Sequence, residues 1–161
     1  MKLKYLCLFL PLILLISCND DDSFEEKVFT GDVEITTQAE LDDFGKNNYT
    51  EISGKLEIRP PNTGDWTSDI SSLRPLKSIR YIKGNFILRG SLVSSLKGLN
   101  NLSAIDGNFE IYGARELVNL NELDKLKSVG GDVLIYNNDL LEDLNGLRKL
   151  SSINNLIIFR N

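Results

Sequence analysis

The sequence predicts a mainly β fold: a right-handed β-solenoid with one short N-terminal capping helix and 3₁₀ turns. Three observations carry this. First, the motif Gly-polar-apolar-x-apolar recurs, beginning at Gly31, Gly54, Gly84, Gly107 and Gly131, at spacings of 23, 30, 23 and 24 residues. A sixth copy, Asn155-Leu156-Ile157-Ile158, reads as one residue short. Second, a run of apolar residues three apart leads into each later copy: Leu73, Leu76, Ile79 and Ile82, then Leu96, Leu99, Leu102 and Ile105, then Leu120, Leu123, Leu126 and Val129. The fourth run is Leu144, Leu147, Leu150 and Ile153. An α-helix turns about 100° per residue, so nine residues carry the last group to the opposite face. Tight 3₁₀-like turns or short bent strands keep all four inside. Third, the two cysteines, Cys7 and Cys18, sit in the first 18 residues, so the repeats are held by packing alone.

The elements follow in order. Residues 1–17 carry Lys2 and Lys4 and then the apolar run Leu6 to Ile16, short for a membrane span and shaped as a signal peptide. Leu15-Ile16-Ser17-Cys18 resembles the bacterial lipobox, which implies lipidation of Cys18 and cleavage before it. An ordinary secretory signal with an incidental cysteine is the alternative. Cleavage removes two cations and no acid, so a net charge of −5 becomes −7. Residues 18–30 read as a lipidated acidic tether. Its Asp20, Asp21 and Asp22 are similar to the acidic export signal of Gram-negative surface lipoproteins; a plain solvated linker is the bland reading.

The repeating domain is expected over 31–161. Thr37-Gln38-Ala39-Glu40 fits a capping box, with Leu41 and Phe44 on one face, which predicts a helix over 37–46 closing the N-terminal end. Arg59 to Trp66, rich in Pro, Gly and Asn, reads as a protruding loop. Stacking places Val33, Leu56, Phe86, Phe109, Val133 and Leu156 in one inward ladder. Ile35, Ile58, Leu88, Ile111, Ile135 and Ile158 form a second. The last copy ends at Asn161 without a closing element, so the expectation is a domain truncated there or a homodimer covering that end.

The unit Leu-x-x-Leu-x-x-Leu-x-x-Ile-x-Gly-Asp-Val-x-Ile-x-x-Asn resembles the receptor L domain, a leucine-rich-like repeat of receptor ectodomains, over about 31–161. Val133-x-Ile135-x-x-Asn138-x-Leu140 also resembles a leucine-rich repeat, which implies a structural role for Asn138 and Asn161; Ala114 and Ser91 stand in the same slot earlier.

Function classes narrow accordingly. An acidic chain argues against nucleic acid. The absence of histidine removes the usual neutral-pH acid–base group and the commonest zinc ligand. Asp139, Glu142 and Asp143 read as turn residues, so no metal and no cofactor are expected. No nucleophile has a base or motif around it, so no catalytic residue is assigned and the protein is read as a non-enzyme. One outward column holds Glu57, Ile87, Glu110, Leu134 and Ile157 and the other Arg59, Arg89, Tyr112, Tyr136 and Phe159; the candidate binding face takes Ile87, Leu134 and Ile157 from the first and all of the second, with Trp66 at the loop tip. Arg89 lies one coil from Tyr112, within cation–π reach. Such a strip marks a binding site or merely stabilises the sheet by cross-coil stacking. The leading expectation is a lipid-anchored outer-membrane binding or adhesion protein at the cell surface of a Gram-negative bacterium, presenting a solenoid face to a protein or glycan. A periplasm-facing scaffold lipoprotein is the alternative, and a surface glycan hydrolase the more distant one.

Overall fold

The computed structural model describes residues 25–62 and 68–161. Cys18, Asp20, Asp21 and Asp22 lie outside the described residues, as does Trp66.

Among the described residues the fold is mainly β, with one α-helix, three 3₁₀ turns and two parallel sheets. The narrow sheet stacks the two-residue strands β1 (Val28–Phe29), β3 (Glu51–Ile52), β5 (Tyr81–Ile82), β7 (Ala104–Ile105) and β9 (Ser128–Val129) in that order, and a parallel bridge from Ser128 to Ser152 continues it. The broad sheet stacks β2 (Val33–Ile35), β4 (Leu56–Ile58), β6 (Phe86–Arg89), β8 (Phe109–Tyr112), β10 (Val133–Tyr136) and β11 (Leu156–Phe159). Each repeat contributes one strand to each sheet, so the repeats pile up as rungs.

The register follows from the alternation of apolar and polar residues. Val33 pairs with Leu56, Leu56 with Phe86, Phe86 with Phe109, Phe109 with Val133 and Val133 with Leu156. A slip of one residue would turn every inward side chain to solvent, so this pairing is strongly specified. The two inward ladders are buried from Val33 through Ile135, and Phe86 stacks on Phe109 at 5.4 Å. The side chains of β11 are exposed.

The step-of-three runs lead into β5, β7, β9 and the Ser152 bridge and are held by i to i+3 hydrogen bonds. Leu76 N–H donates to Leu73 C=O and Ile79 N–H to Leu76 C=O; the same pair recurs at Leu96/Leu99/Leu102, Leu120/Leu123/Leu126 and Leu144/Leu147/Leu150, all between 2.9 and 3.0 Å. Three of these runs contain 3₁₀ turns, at Arg74–Leu76, Asn121–Leu123 and Asn145–Leu147.

The repeated glycines stand in vertical register. Gly84 N–H donates to Gly54 C=O, Gly107 to Gly84 and Gly131 to Gly107, at 2.9 to 3.1 Å. Asn154 N–H then donates to Gly131 C=O at 3.0 Å. The sixth copy therefore lacks no residue; Asn154 occupies the glycine position, and β11 keeps the common register. A Cβ on Gly107 would lie 2.7 Å from the Gly84 carbonyl carbon and 2.8 Å from Asn85 N, so these glycines allow one turn to nest on the next. The residue after the glycine adds a second ladder: Asn85 Oδ1 accepts from Asn108 N–H at 2.8 Å, and Asn108 Oδ1 from Asp132 N–H at 2.9 Å. At the far end of the broad strands, buried Asn138 accepts from Ala114 N–H at 2.9 Å and donates to Ile111 C=O at 3.3 Å. Asn161 repeats both contacts one rung later, to Asn138 N–H and Ile135 C=O.

The helix α1 spans Gln38–Gly45 with Thr37 as N-cap, and its capping box is complete: Thr37 Oγ1 accepts from Glu40 N–H at 3.2 Å, and Glu40 Oε2 accepts from Thr37 N–H at 3.2 Å. Leu41 is buried, while Phe44 packs with Phe29 and Tyr49 at 5.4 to 5.7 Å. Phe29 explains why Val28–Phe29, inside the segment read as tether, forms a strand: that ring completes the aromatic cluster, and Lys27 C=O accepts from Thr50 N–H at 2.8 Å.

Candidate functional site

Side chains between the two inward ladders point out from the broad sheet. Pairing sets Glu34, Glu57, Ile87, Glu110, Leu134 and Ile157 in one column. Arg89, Tyr112, Tyr136 and Phe159 align in the next. The face is less greasy than the alternation implies. Ile87 is buried at 8 % exposure, held between the acids above and below it, and Leu134 is half-buried. Ile157 and Phe159, at 45 % and 56 %, are the exposed members, and Arg160 sits 4.9 Å over the Phe159 ring.

A charge network occupies the middle of the face. Lys55 Nζ pairs with Glu57 Oε2 at 2.9 Å, and this hydrogen bond to the carboxylate is the main cause that raises the Lys55 ammonium above its ordinary value. Arg89 Nη1 lies 3.6 Å from Glu57 Oε1 and Nη2 3.2 Å from Glu110 Oε1. Tyr136 Oη donates to the same Glu110 oxygen at 2.8 Å. Burial, then the hydrogen bond and the negative charge of Glu110, push the Tyr136 phenol above the usual range. Tyr112 stacks on Tyr136 with centroids 4.8 Å apart at 26°. The sequence places Arg89 beside an aromatic ring; the structure directs its guanidinium onto two carboxylates. Arg59 belongs to the other end of the face, where it pairs with Glu34 and donates to Pro60 C=O at 2.9 Å and Asn62 Oδ1 at 2.8 Å.

Beside Arg89 and Tyr112 opens a groove of about 360 Å³, bounded also by Leu92, Arg115 and Glu116. This volume lies within the range of small-ligand sites. Leu92 is 51 % exposed and offers an apolar lip. Thus Arg89, Tyr112, Tyr136 and Leu134 come together on adjacent rungs, whereas Arg59 and Phe159 stand at opposite ends. Glu57 and Glu110 were read from the sequence as outward positions but not assigned to the face, and the groove residues Leu92, Arg115 and Glu116 were missed. The acids were readable as outward positions; what could have raised them is that they flank Ile87 in a column that shares its neighbours with Arg89.

Search of the curated proteins gives no match for this chain. The model of the receptor L domain matches residues 27–118, so its span begins at the first narrow strand and stops before the last two rungs, which continue the same register. That match covers more than half of the sequence, and the protein belongs to the receptor L-domain family, a family of ligand-binding domains.

Proposed function

We propose that the protein is a lipid-anchored binding protein of an outer cell surface, carried on Cys18 and presenting the outward broad-sheet face to a protein or glycan. In this reading the two sheets belong to a right-handed solenoid, the hand that strand–crossover–parallel strand connections almost always take. The observation that carries the binding role is the face itself. A stacked Tyr112–Tyr136 pair, a polar network centred on Glu110 and a groove beside Arg89 lie within three rungs. Aromatic rings with a polar edge and arginine are the residue types that dominate binding hot spots. Both acids of the network are engaged by Lys55 and Arg89, which suits recognition better than proton transfer.

Two measurements test this reading. Protease applied to intact cells removes a surface protein, whereas a periplasm-facing scaffold survives until lysis. Mass analysis of the mature N-terminal peptide shows acyl chains on Cys18; a free thiol there, or a released soluble chain, removes the anchor. For the face, Tyr112→Ala with Tyr136→Ala weakens capture of the cognate surface partner by roughly tenfold or more, as expected of paired aromatic anchors.

A further inference from the structure

A second groove, of about 860 Å³, lies away from the broad-sheet face, where α1 and the step-of-three turns stack. Its floor is nearly bare of side chains. Gly45, Pro75 and Gly98 come from successive rungs, and a Cβ on Gly45 would meet the backbone of Pro75 at 2.7 to 2.9 Å. Around this floor stand Arg74, Lys77 and Lys97, all exposed. Among the described residues none of the three has an ion-pair partner, in a chain whose acids exceed its cations by five. Lys46 at the rim is paired with Asp43, and the one acid among the described lining residues, Asp42, accepts from Gln38 Nε2 at 2.9 Å. Like charges gathered without partners cost stability unless a counter-ion or ligand neutralises them.

We propose that this trough binds a linear anionic polysaccharide, with Arg74, Lys77 and Lys97 pairing its carboxylate or sulfate groups. Three features favour a glycan over other polyanions. Parallel strands are about 4.8 Å apart, so Arg74 and Lys97, on adjacent rungs, repeat at a spacing close to the advance of one pyranose along a chain. Asn48, Ser72 and Asn100 supply amide and hydroxyl groups among the cations, suited to sugar hydroxyls. Pro75 is the one apolar side chain among the described lining residues, so an acidic peptide finds no anchor for its apolar residues, and a concave floor is out of reach of a flat bilayer. This site goes beyond the face described above and stands or falls separately from it.

The test uses the full chain in detergent. Four probes are titrated by calorimetry at low and moderate salt: heparin oligosaccharides, polygalacturonate oligosaccharides, poly-glutamate of equal charge, and vesicles containing anionic phospholipid. The expected result is salt-sensitive binding of one or both oligosaccharides, with heparin alone indicating sulfate and polygalacturonate indicating carboxylate recognition. Arg74→Gln, Lys77→Gln and Lys97→Gln together weaken it by about tenfold, since each exposed charge contact is worth a factor of roughly two to five. Removing Lys27, Lys83 and Lys127 in the same way changes net charge equally and leaves it within about twofold. All six positions are on the surface, and an unchanged thermal midpoint confirms folding. Equal binding of poly-glutamate or vesicles, equal loss in both triple variants, or no oligosaccharide binding overturns the proposal.

Discussion

Glu110 accepts from both Tyr136 and Arg89, and the consequence is visible in a titration. Because the Tyr136 phenol is raised by burial first and by Glu110 second, its neutral form is favoured in the folded state. The stability this contributes is present below the ordinary tyrosine value near 10 and is lost as pH rises through the folded value. Ultraviolet titration of the folded chain should therefore show one tyrosine ionising late. Glu110→Gln should bring it only part of the way back, since burial remains. Full return to the ordinary range would remove Tyr136 from its buried position. Asparagine at 138 is a second residue-scale test. Its amide serves Ala114 N–H and Ile111 C=O in a fully buried position, so Asn138→Ala should lower stability by about 3 kcal/mol in denaturant unfolding. The glycines divide into two kinds. Gly107→Ala should cost about 2 kcal/mol or more, because its Cβ meets backbone that cannot yield. Gly113→Ala should cost about 1 kcal/mol, because its φ of +66° is strained for alanine while its Cβ would meet the Gly90 backbone only at ordinary contact distance, 3.8 to 3.9 Å.

At the scale of the element, α1 depends on its N-cap. Glu40 is lowered mainly by the Thr36 N–H hydrogen bond, which holds its carboxylate charged. Its contribution is present above the ordinary glutamate value and lost as pH falls through the folded one. Thr37→Ala should reduce unfolding stability by about 1 kcal/mol at neutral pH. The helix and the broad strands were legible in the sequence for clear physical reasons. Thr37 and Glu40 satisfy each other locally, and Gly-x-apolar-x-apolar specifies both a corner and a two-sided strand. Less legible was the short strand β1, because Val28 and Phe29 lie beside acids and their partners, Tyr49 and Glu51 to Ile52, are twenty or more residues away. The Asn154 turn escaped notice because asparagine there fills the glycine slot by backbone register rather than by residue type. The binding face was half legible: alternation gives its columns, but the turning of Arg89 from an aromatic ring toward Glu57 and Glu110 depends on side-chain reach across rungs. The cationic trough left only a faint periodic trace, Arg74 and Lys97 each following the first leucine of a step-of-three run, since Lys46 comes from a helix end and the later runs carry Asn121 and Asn145 at that position.

For the whole molecule, contacts run between neighbouring rungs, and stability is distributed as in a linear array. Hydrogen exchange should be slowest in β6 and β8, which have rungs on both sides and the stacked Phe86–Phe109 pair, and fastest in β11. Phe109→Ala, in the middle, should cost about 4 kcal/mol, and the loss should spread to the exchange of both flanking strands. Uniform protection along the stack would contradict the linear view.

The nesting of one bare turn upon the next means that the pitch of the molecule is set by its main chain, not by the bulk of what projects from it. Surface chemistry can then be rewritten row by row while the line spacing stays fixed. Two lineages of such a chain could carry unrelated recognition patterns on the same ruled page.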